Sequence, residues 1–303
     1  MSTHPTLLVL GAGPGLGMSV ARRFGKEGYQ VGLVSRSADR HPGYLDDLRS
    51  AGVRAAAVAA DVRRPGGLRH AVAEVEAGLG PVDVVYHGPG ADNPAAAPIG
   101  ILETRADDVR AAAAQVVDPA VELAGLVLPG MRERGGGAIV YVSGLSAVVP
   151  LPFLGPFAPA SAALRTYALT LAAAAAPDGV HVGSLVVGGL IERGDIHRML
   201  TAGRAGTSVG GADALTGAGA LTGAGALTGA GALTGAPEPV LDLPPDPAAD
   251  SAASSAAEPA PDSAASSAPM PVLDPDDLAD AVWRIATGAE REVVFNALTP
   301  DAV

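Results

Sequence analysis

Residues 6 to 17 constrain this chain more than any other stretch. Thr6, Leu7, Leu8, Val9 and Leu10 form an apolar run of buried-strand length, which passes directly into Gly11, Ala12, Gly13, Pro14, Gly15, Leu16 and Gly17. Leu16, Val20 and Phe24 then recur at helical spacing, Arg22, Arg23 and Lys26 can point outward, and Gly28 closes the element. A strand, a glycine turn and a helix in that order let backbone amides approach a pyrophosphate at the helix N-terminus, so a nucleotide is the first ligand expected. Gly11, Gly15 and Gly17 are spaced G-x-x-x-G-x-G, and Leu16 stands where the dinucleotide fingerprint G-x-G-x-x-G has its last glycine. Taken alone, three glycines can equally serve tight strand-to-helix packing.

The next strand-like run, Gln30 to Val34, ends at Ser35, Arg36 and Ser37, about 20 residues past the turn, where a dinucleotide fold meets the adenosine ribose. An acidic residue there would accept from the ribose 2′-hydroxyl and repel a phosphate. Arg36 instead offers a charge-assisted fork, so NADP(H) is expected in preference to NAD(H), which remains possible. The plain alternative is a surface arginine. A small-residue strand over Val53 to Ala60 delivers Asp61 and Val62, an acceptor for an adenine amino group beside an apolar cover. Asp61 could equally cap a helix begun by Arg63 to Leu68.

Helical patterns over Leu45 to Ala51, Leu68 to Leu79 and, in two pieces, Ile99 to Met131 alternate with strands over Val82 to Tyr86 and Ala138 to Val142. A proline-rich loop, Pro150 to Pro159, leads to an alanine-rich helix over Ala160 to Ala176, and Val180 to Val187 reads as a sixth strand. The hexamer Ala-Leu-Thr-Gly-Ala-Gly then recurs from Ala214, Ala220, Ala226 and Ala232, and Pro237 to Pro271 is proline, alanine, serine and aspartate. Such composition buries no core, so 206–271 is expected to be a disordered insert. Residues 1–205 are expected to form a single Rossmann-type α/β domain with a doubly wound parallel sheet. Residues 272–303 should complete it with a helix from Asp274 and a strand over Val293 to Phe295.

The formal net charge of -12 speaks against nucleic acid and anionic membrane surfaces as partners. With no cysteine, thiolate chemistry and sulfur-based zinc sites are excluded, and six scattered histidines without an H-E-x-x-H spacing leave no metal site expected. No charged segment followed by a long apolar one opens the chain, and no apolar run approaches the ~20 residues of a bilayer span, so a cytoplasmic protein is expected.

The alternating strands and helices, the turn Gly11, Gly15, Gly17, the Asp61-Val62 pair and a serine after the fifth strand together resemble the short-chain dehydrogenase/reductase family over residues 5 to 200 and 272 to 297. That family's first motif is T-G-x-x-x-G-x-G; here Leu10 replaces the threonine and all three glycines remain. Its N-N-A-G after the fourth strand corresponds to His87, Gly88, Pro89 and Gly90. The resemblance implies cofactor contacts from Gly11, Gly13, Gly15, Leu16, Gly17, Ser35, Arg36, Asp61, Val62, Gly88 and Gly90, a small-molecule substrate, and pairing of long helices in a homo-oligomer.

The family's catalytic residues have no counterparts. Its tyrosine and lysine, spaced Y-x-x-x-K, align with Phe157 and Ser161, its serine with Gly144, and its asparagine with Val116. The tyrosine exchanges a proton with the substrate oxygen and the ammonium lowers its pKa; a phenyl ring has no proton to give, at a cost of ~10²- to 10⁴-fold in rate. Ser143, one residue from the expected serine, and His87, at the mouth of strand four, are the candidate substitutes. An atypical oxidoreductase, a catalytically inactive nucleotide-binding homologue and a non-redox enzyme reusing the pocket all remain open, with Phe153, Leu154 and Phe157 an apolar wall suited to a hydrophobic substrate.

Overall fold

A computed structural model describes residues 4–88, 98–205 and 271–297. Gly90 and the insert expected over 206–271, except Pro271, lie outside them. The main strands are β1 (Thr6–Leu10), β2 (Gln30–Ser35), β3 (Ala55–Ala59), β4 (Val82–His87), β5 (Gly137–Gly144), β6 (Val180–Gly188) and β9 (Glu292–Asn296). They pair entirely in parallel, in the order β3-β2-β1-β4-β5-β6-β9. A second, two-stranded sheet joins β7 (Leu190–Ile191) to β8 (Val272–Leu273).

A parallel sheet needs helical crossovers, which cover both its faces and explain why β1 is buried at every residue. One face packs against α1 (Leu16–Lys26), α2 (His41–Ser50) and α8 (Pro275–Ala286), through Leu7, Val9, Val31 and Val140 with Phe24, Leu48 and Val282. The other packs against α3 (Gly67–Leu79), α5 (Asp118–Arg134) and α6 (Phe157–Ala175), through Leu8, Val85 and Ile139 with Val75, Leu123 and Leu164. This is the expected doubly wound α/β architecture.

Several boundaries differ from the sequence expectation for identifiable reasons. The helical pattern expected from Ile99 starts only with α4 (Ala106–Val116), because the Asp108 carboxylate accepts from the Arg105 amide at 2.9 Å and Thr104 Oγ1 bonds back to the Gly100 carbonyl. Helix α6 begins at Phe157 and not Ala160, since Pro159 falls in the first turn, where a proline amide hydrogen is not needed. The helix expected from Arg63 is a turn, and α3 starts at Gly67 after Gly66 in the left-handed region. Together α4 and α5 span Ala106–Arg134, a helical stretch apolar and long enough to cross a membrane by length and composition, contrary to the expectation of no such run. Its Ala120, Leu123, Val127 and Met131 instead pack on the sheet.

The segment after residue 270 is part of the main core. Asp274 caps α8 by accepting from the Asp276 amide, and Leu278, Ala281, Val282 and Ile285 are buried against α1 and the sheet. Trp283 stacks edge-on with Phe24 and Tyr29 while the Arg23 guanidinium lies 4.6 Å above its ring. Arg165 of α6 grips Glu292 of β9 through two 2.6 Å hydrogen bonds. Leu278→Ala should therefore lower the free energy of unfolding by about 2–5 kcal/mol in denaturant titration. A loss under about 1 kcal/mol would mean that α8 is not integral to the core.

Candidate functional site

The first crossover places the glycine turn at the carboxyl edge, beside the point where β1 is flanked by β2 on one side and β4 on the other. Ligands of open α/β sheets collect at such a reversal. The Gly11 and Ala12 amides both donate to the Val34 carbonyl, at 3.0 and 2.9 Å, which ties the turn to the tip of β2. A Cβ on Gly17 would lie 2.5 Å from the Gly11 carbonyl oxygen, so only glycine lets α1 come so close to the turn. A Cβ on Gly15 would stand 3.1 Å from the Glu192 carbonyl oxygen and the Gly194 amide, which sets the chain after β7 directly on the turn. At Gly13 a Cβ would meet nothing nearer than 4.0 Å and would protrude into open space. Helix α1 has no acidic residue in its first turn and no side-chain cap, leaving its positive end available to an anion.

That open space belongs to a cavity of about 540 Å³ running from the tip of β2, over the glycine turn, to the start of α7 (Asp195–Ala205). Gly11, Gly13, Gly15, Leu16, Gly17, Ser35, Arg36, Asp61, Val62 and Gly88 all line it. A dinucleotide fits what these residues offer: an open Gly13 in a turn at a helix N-terminus, a guanidinium at the tip of β2 and a carboxylate beside an apolar side chain after β3.

Asp61 also does the local work that a capping role would ask of it. One of its oxygens accepts from the Arg63 amide at 3.1 Å and the other faces Arg64 at 3.4 Å. A carboxylate has about four acceptor sites, so these two contacts leave room for an adenine amino group. Ser35 is held by its own loop, donating to the Ser37 carbonyl at 2.9 Å and lying 2.7 Å from His41 Nε2, while burial lowers the His41 pKa. Its hydroxyl proton is therefore engaged and its remaining lone pair is what a ribose hydroxyl could use.

The proposed proton-transfer residues lie elsewhere. None of Ser143, His87, Val116, Gly144, Phe157 and Ser161 lines the cavity. His87 is 1% exposed on the α5/α6 side of the sheet, edge-on to Tyr141 at 5.4 Å, and neither ring nitrogen has a hydrogen-bond partner among the described residues. Burial, reinforced by the nearby Arg63 charge, brings its pKa down to about 4. The imidazole is thus neutral at pH 7 and sealed from the cavity. Ser143, near the end of β5, is also buried with its hydroxyl unpaired.

Phe157 and Ser161 keep the one-turn spacing at the start of α6, the ring 37% exposed and the hydroxyl side chain buried. Gly144 ends β5, and Val116 ends α4. A Cβ on Gly144 would lie 3.8 Å from Ser146 Oγ, itself buried and unpaired, so a hydroxyl does sit close to the position where the resemblance expects one.

Sequence reasoning missed several cavity residues: Arg40 and Asp39 beyond the tip of β2, and Gly189, Leu190, Ile191, Gly194, Asp195 and Ile196 beyond β6. The run after β6 carries no motif of its own; long-range contacts such as the pairing of β7 with β8 position it. Tyr86, at the mouth of β4, also lines the cavity, and burial raises its phenol pKa, which keeps it protonated.

Comparison with known proteins places these features in context. Residues 5–197 match the family model described as short chain dehydrogenase. A short chain dehydrogenase of Pseudocercospora fijiensis is 31% identical over 179 residues, covering 58% of this chain and 56% of that protein. The ketoacyl reductase HetN of Nostoc sp. is 32% identical over 166 residues, covering 54% of this chain and 55% of its own length. The matched region thus spans little more than half of these two relatives. The crystal structure of L-sorbose reductase from Gluconobacter frateurii, in complex with NADPH and L-sorbose, superposes with a TM-score of 0.60 at 27% identity, covering 71% of this chain and 82% of that one.

The buried neutral His87 generates a pH dependence of stability. Its folded pKa lies below the unfolded value of ~6.5, so the unfolded state binds the extra proton first, and stability present above about pH 6.5 is lost as pH falls toward 4. Denaturant titrations at pH 7 and pH 4.5 should show wild type losing about 2 kcal/mol of stability relative to His87→Leu. Parallel losses in the two proteins would contradict the burial of an unpaired imidazole.

Proposed function

Because the chain belongs to the short-chain dehydrogenase family, we propose that it is an NADP(H)-binding oxidoreductase of atypical kind, acting on the carbonyl or alcohol group of a small molecule. The observation that carries this reading is the cavity at the strand-order reversal, which gathers the glycine turn, Arg36, Asp61 and Val62 into one wall. A bound nicotinamide supplies the hydride. The chain's part is to hold the pyrophosphate on the turn from Gly13 to Gly17, seat adenine between Asp61 and Val62, and present Arg36 to a ribose 2′-phosphate. NAD(H) is accepted more weakly, since no carboxylate stands at the Arg36 position to take the two ribose hydroxyls.

Proton movement is where this chain departs from its family. Phe157 cannot donate, Ser161 cannot supply a positive charge, and His87 is neutral and enclosed. Ser143 and Ser146 retain hydroxyls able to polarise a substrate carbonyl after a small opening of the loop that follows β5. The ketoacyl reductase and sorbose reductase names of the related proteins support a carbonyl substrate. Exposed Val121 on α5, together with α6, provides an apolar surface for a second copy of the chain.

A second reading, cofactor binding without turnover, is favoured by one specific observation. None of the four residues at the family's catalytic positions carries an ionisable group, and neither substitute, Ser143 nor His87, lines the cavity.

Fluorescence titration should give tighter binding of NADPH than of NADH, and Arg36→Ala should weaken NADPH by about tenfold or more with NADH nearly unchanged. Equal weakening of both cofactors would remove the assigned role of Arg36. On the same preparation, a carbonyl panel monitored by NADPH oxidation should give slow turnover that Ser143→Ala reduces. The double change Phe157→Tyr with Ser161→Lys should raise it by about 10²-fold or more, as expected of a restored general acid. Binding with no turnover across the panel, in both proteins, would select the second reading.

A further inference from the structure

Two walls of the cavity that are remote in sequence are joined by one ion pair. Arg40, immediately before α2, and Asp195, the first residue of α7, both line the cavity, and Arg40 Nη1 lies 2.8 Å from an Asp195 carboxylate oxygen. Both side chains are half exposed. Arg40 follows Arg36 by four residues, on the loop that leaves the tip of β2 toward the cavity.

Asp195 is positioned from behind by the chain that precedes it. The backbone from Glu192 to Gly194 rests on Gly15. Arg193, in the left-handed region at φ 64°, reaches Asp276 at 2.9 Å and Asp274 at 3.4 Å, and its own carbonyl accepts from the Arg198 guanidinium. The base of α7 is therefore anchored to the glycine turn and to the start of α8, while the Arg40 pair ties it forward to the β2 loop.

Such a pair is easily exchanged. In half-exposed surroundings, solvent screens the attraction and the pair contributes little. A dianionic phosphate is a stronger partner for a planar guanidinium, which it can engage through two parallel hydrogen bonds. The same phosphate would repel the Asp195 carboxylate. Attraction to Arg40 and repulsion from Asp195 thus act in one direction.

We propose that Arg40 is shared between two partners: it binds Asp195 in the absence of a 2′-phosphate and moves to the 2′-phosphate of NADP(H) when the cofactor enters, releasing α7 from the β2 loop. This rests on the reading of the β2 tip as an NADP(H) site. Asp195 then acts as an internal competitor that sets the margin between the phosphorylated and unphosphorylated cofactors, and α7 reports which has bound.

The test uses the full chain and two fragments that differ only in the phosphate, 2′,5′-ADP and 5′-AMP, titrated by calorimetry. Asp195→Asn should tighten 2′,5′-ADP about two- to fivefold, the worth of an exposed pair, and leave 5′-AMP unchanged. Arg40→Ala should weaken 2′,5′-ADP by about tenfold or more and abolish the gain from Asp195→Asn in the double variant. In wild type, amide hydrogen exchange across α7 should quicken with 2′,5′-ADP and not with 5′-AMP. Thermal melts of the variants serve as the folding control, and Arg40→Lys, which keeps the charge but loses the fork, should fall between wild type and Arg40→Ala.

Failure of the sharing and failure of the NADP(H) reading give different results. If wild type prefers 2′,5′-ADP, but Asp195→Asn leaves the preference unaltered or its gain persists without Arg40, the sharing is wrong and the cofactor reading stands. If wild type binds the two fragments equally, or neither, and Arg36→Ala changes nothing, the cofactor reading fails and the sharing fails with it.

Discussion

Two close approaches of backbone to backbone meet at the turn between β1 and α1, and the rest of the site depends on them. A Cβ at Gly17 would lie 2.5 Å from the carbonyl of Gly11, and one at Gly15 would press on the segment from Glu192 to Gly194. The first contact seats α1 against the end of β1, so that a helix N-terminus faces the carboxyl edge. The second brings the chain after β7 across the same opening. Two glycines thereby form both floor and wall of the cavity, with the turn hydrogen-bonded to β2 through Val34. A side chain at either position would move a secondary-structure element, not merely crowd a ligand.

Around this turn the chemistry divides into two halves that the sheet keeps apart. The face toward α1 and α8 meets the cavity through Tyr86 and the glycine turn, whereas His87 and Tyr141 sit on the opposite face beneath α5 and α6. Strand alternation alone assigns neighbours Tyr86 and His87 to opposite sides. Buried there, the imidazole is held neutral by the cost of charging it. The glycine turn, the Arg36 guanidinium and the Asp61 carboxylate all line the cavity. Phe157 and Ser161, one helical turn apart at the start of α6, lie outside the cavity lining.

Much of the fold was legible because apolar runs and glycines act locally. The buried strands from Thr6 and from Gln30, the stripe Leu16, Val20 and Phe24, and the helix start at Asp274 each follow from periodicity or capping within a few residues. Helix boundaries were less legible where a side chain decided them: Asp108 holding the Arg105 amide is invisible to a hydrophobic pattern, and Pro159 looked like a loop residue until its place in a first turn was known. In the site, the turn and the tip of β2 announced themselves by spacing. Arg40 and Asp195 did not, since their meeting depends on the pairing of β7 with β8 and on the ion pairs of Arg193, contacts that span scores of residues. Nor did the sequence reveal that His87, at the mouth of a strand, turns away from that mouth.

The central claim is that a nicotinamide dinucleotide lies across the β1–α1 turn with its adenosine end at the tip of β2. A crystal structure of the full chain grown with NADP⁺ tests this most directly. The account predicts pyrophosphate density against the backbone from Gly13 to Gly17, adenine beside Asp61 and Val62, and the 2′-phosphate within hydrogen-bond reach of Arg36. Nucleotide density at another edge of the sheet, or a glycine turn left bare under saturating cofactor, would contradict it.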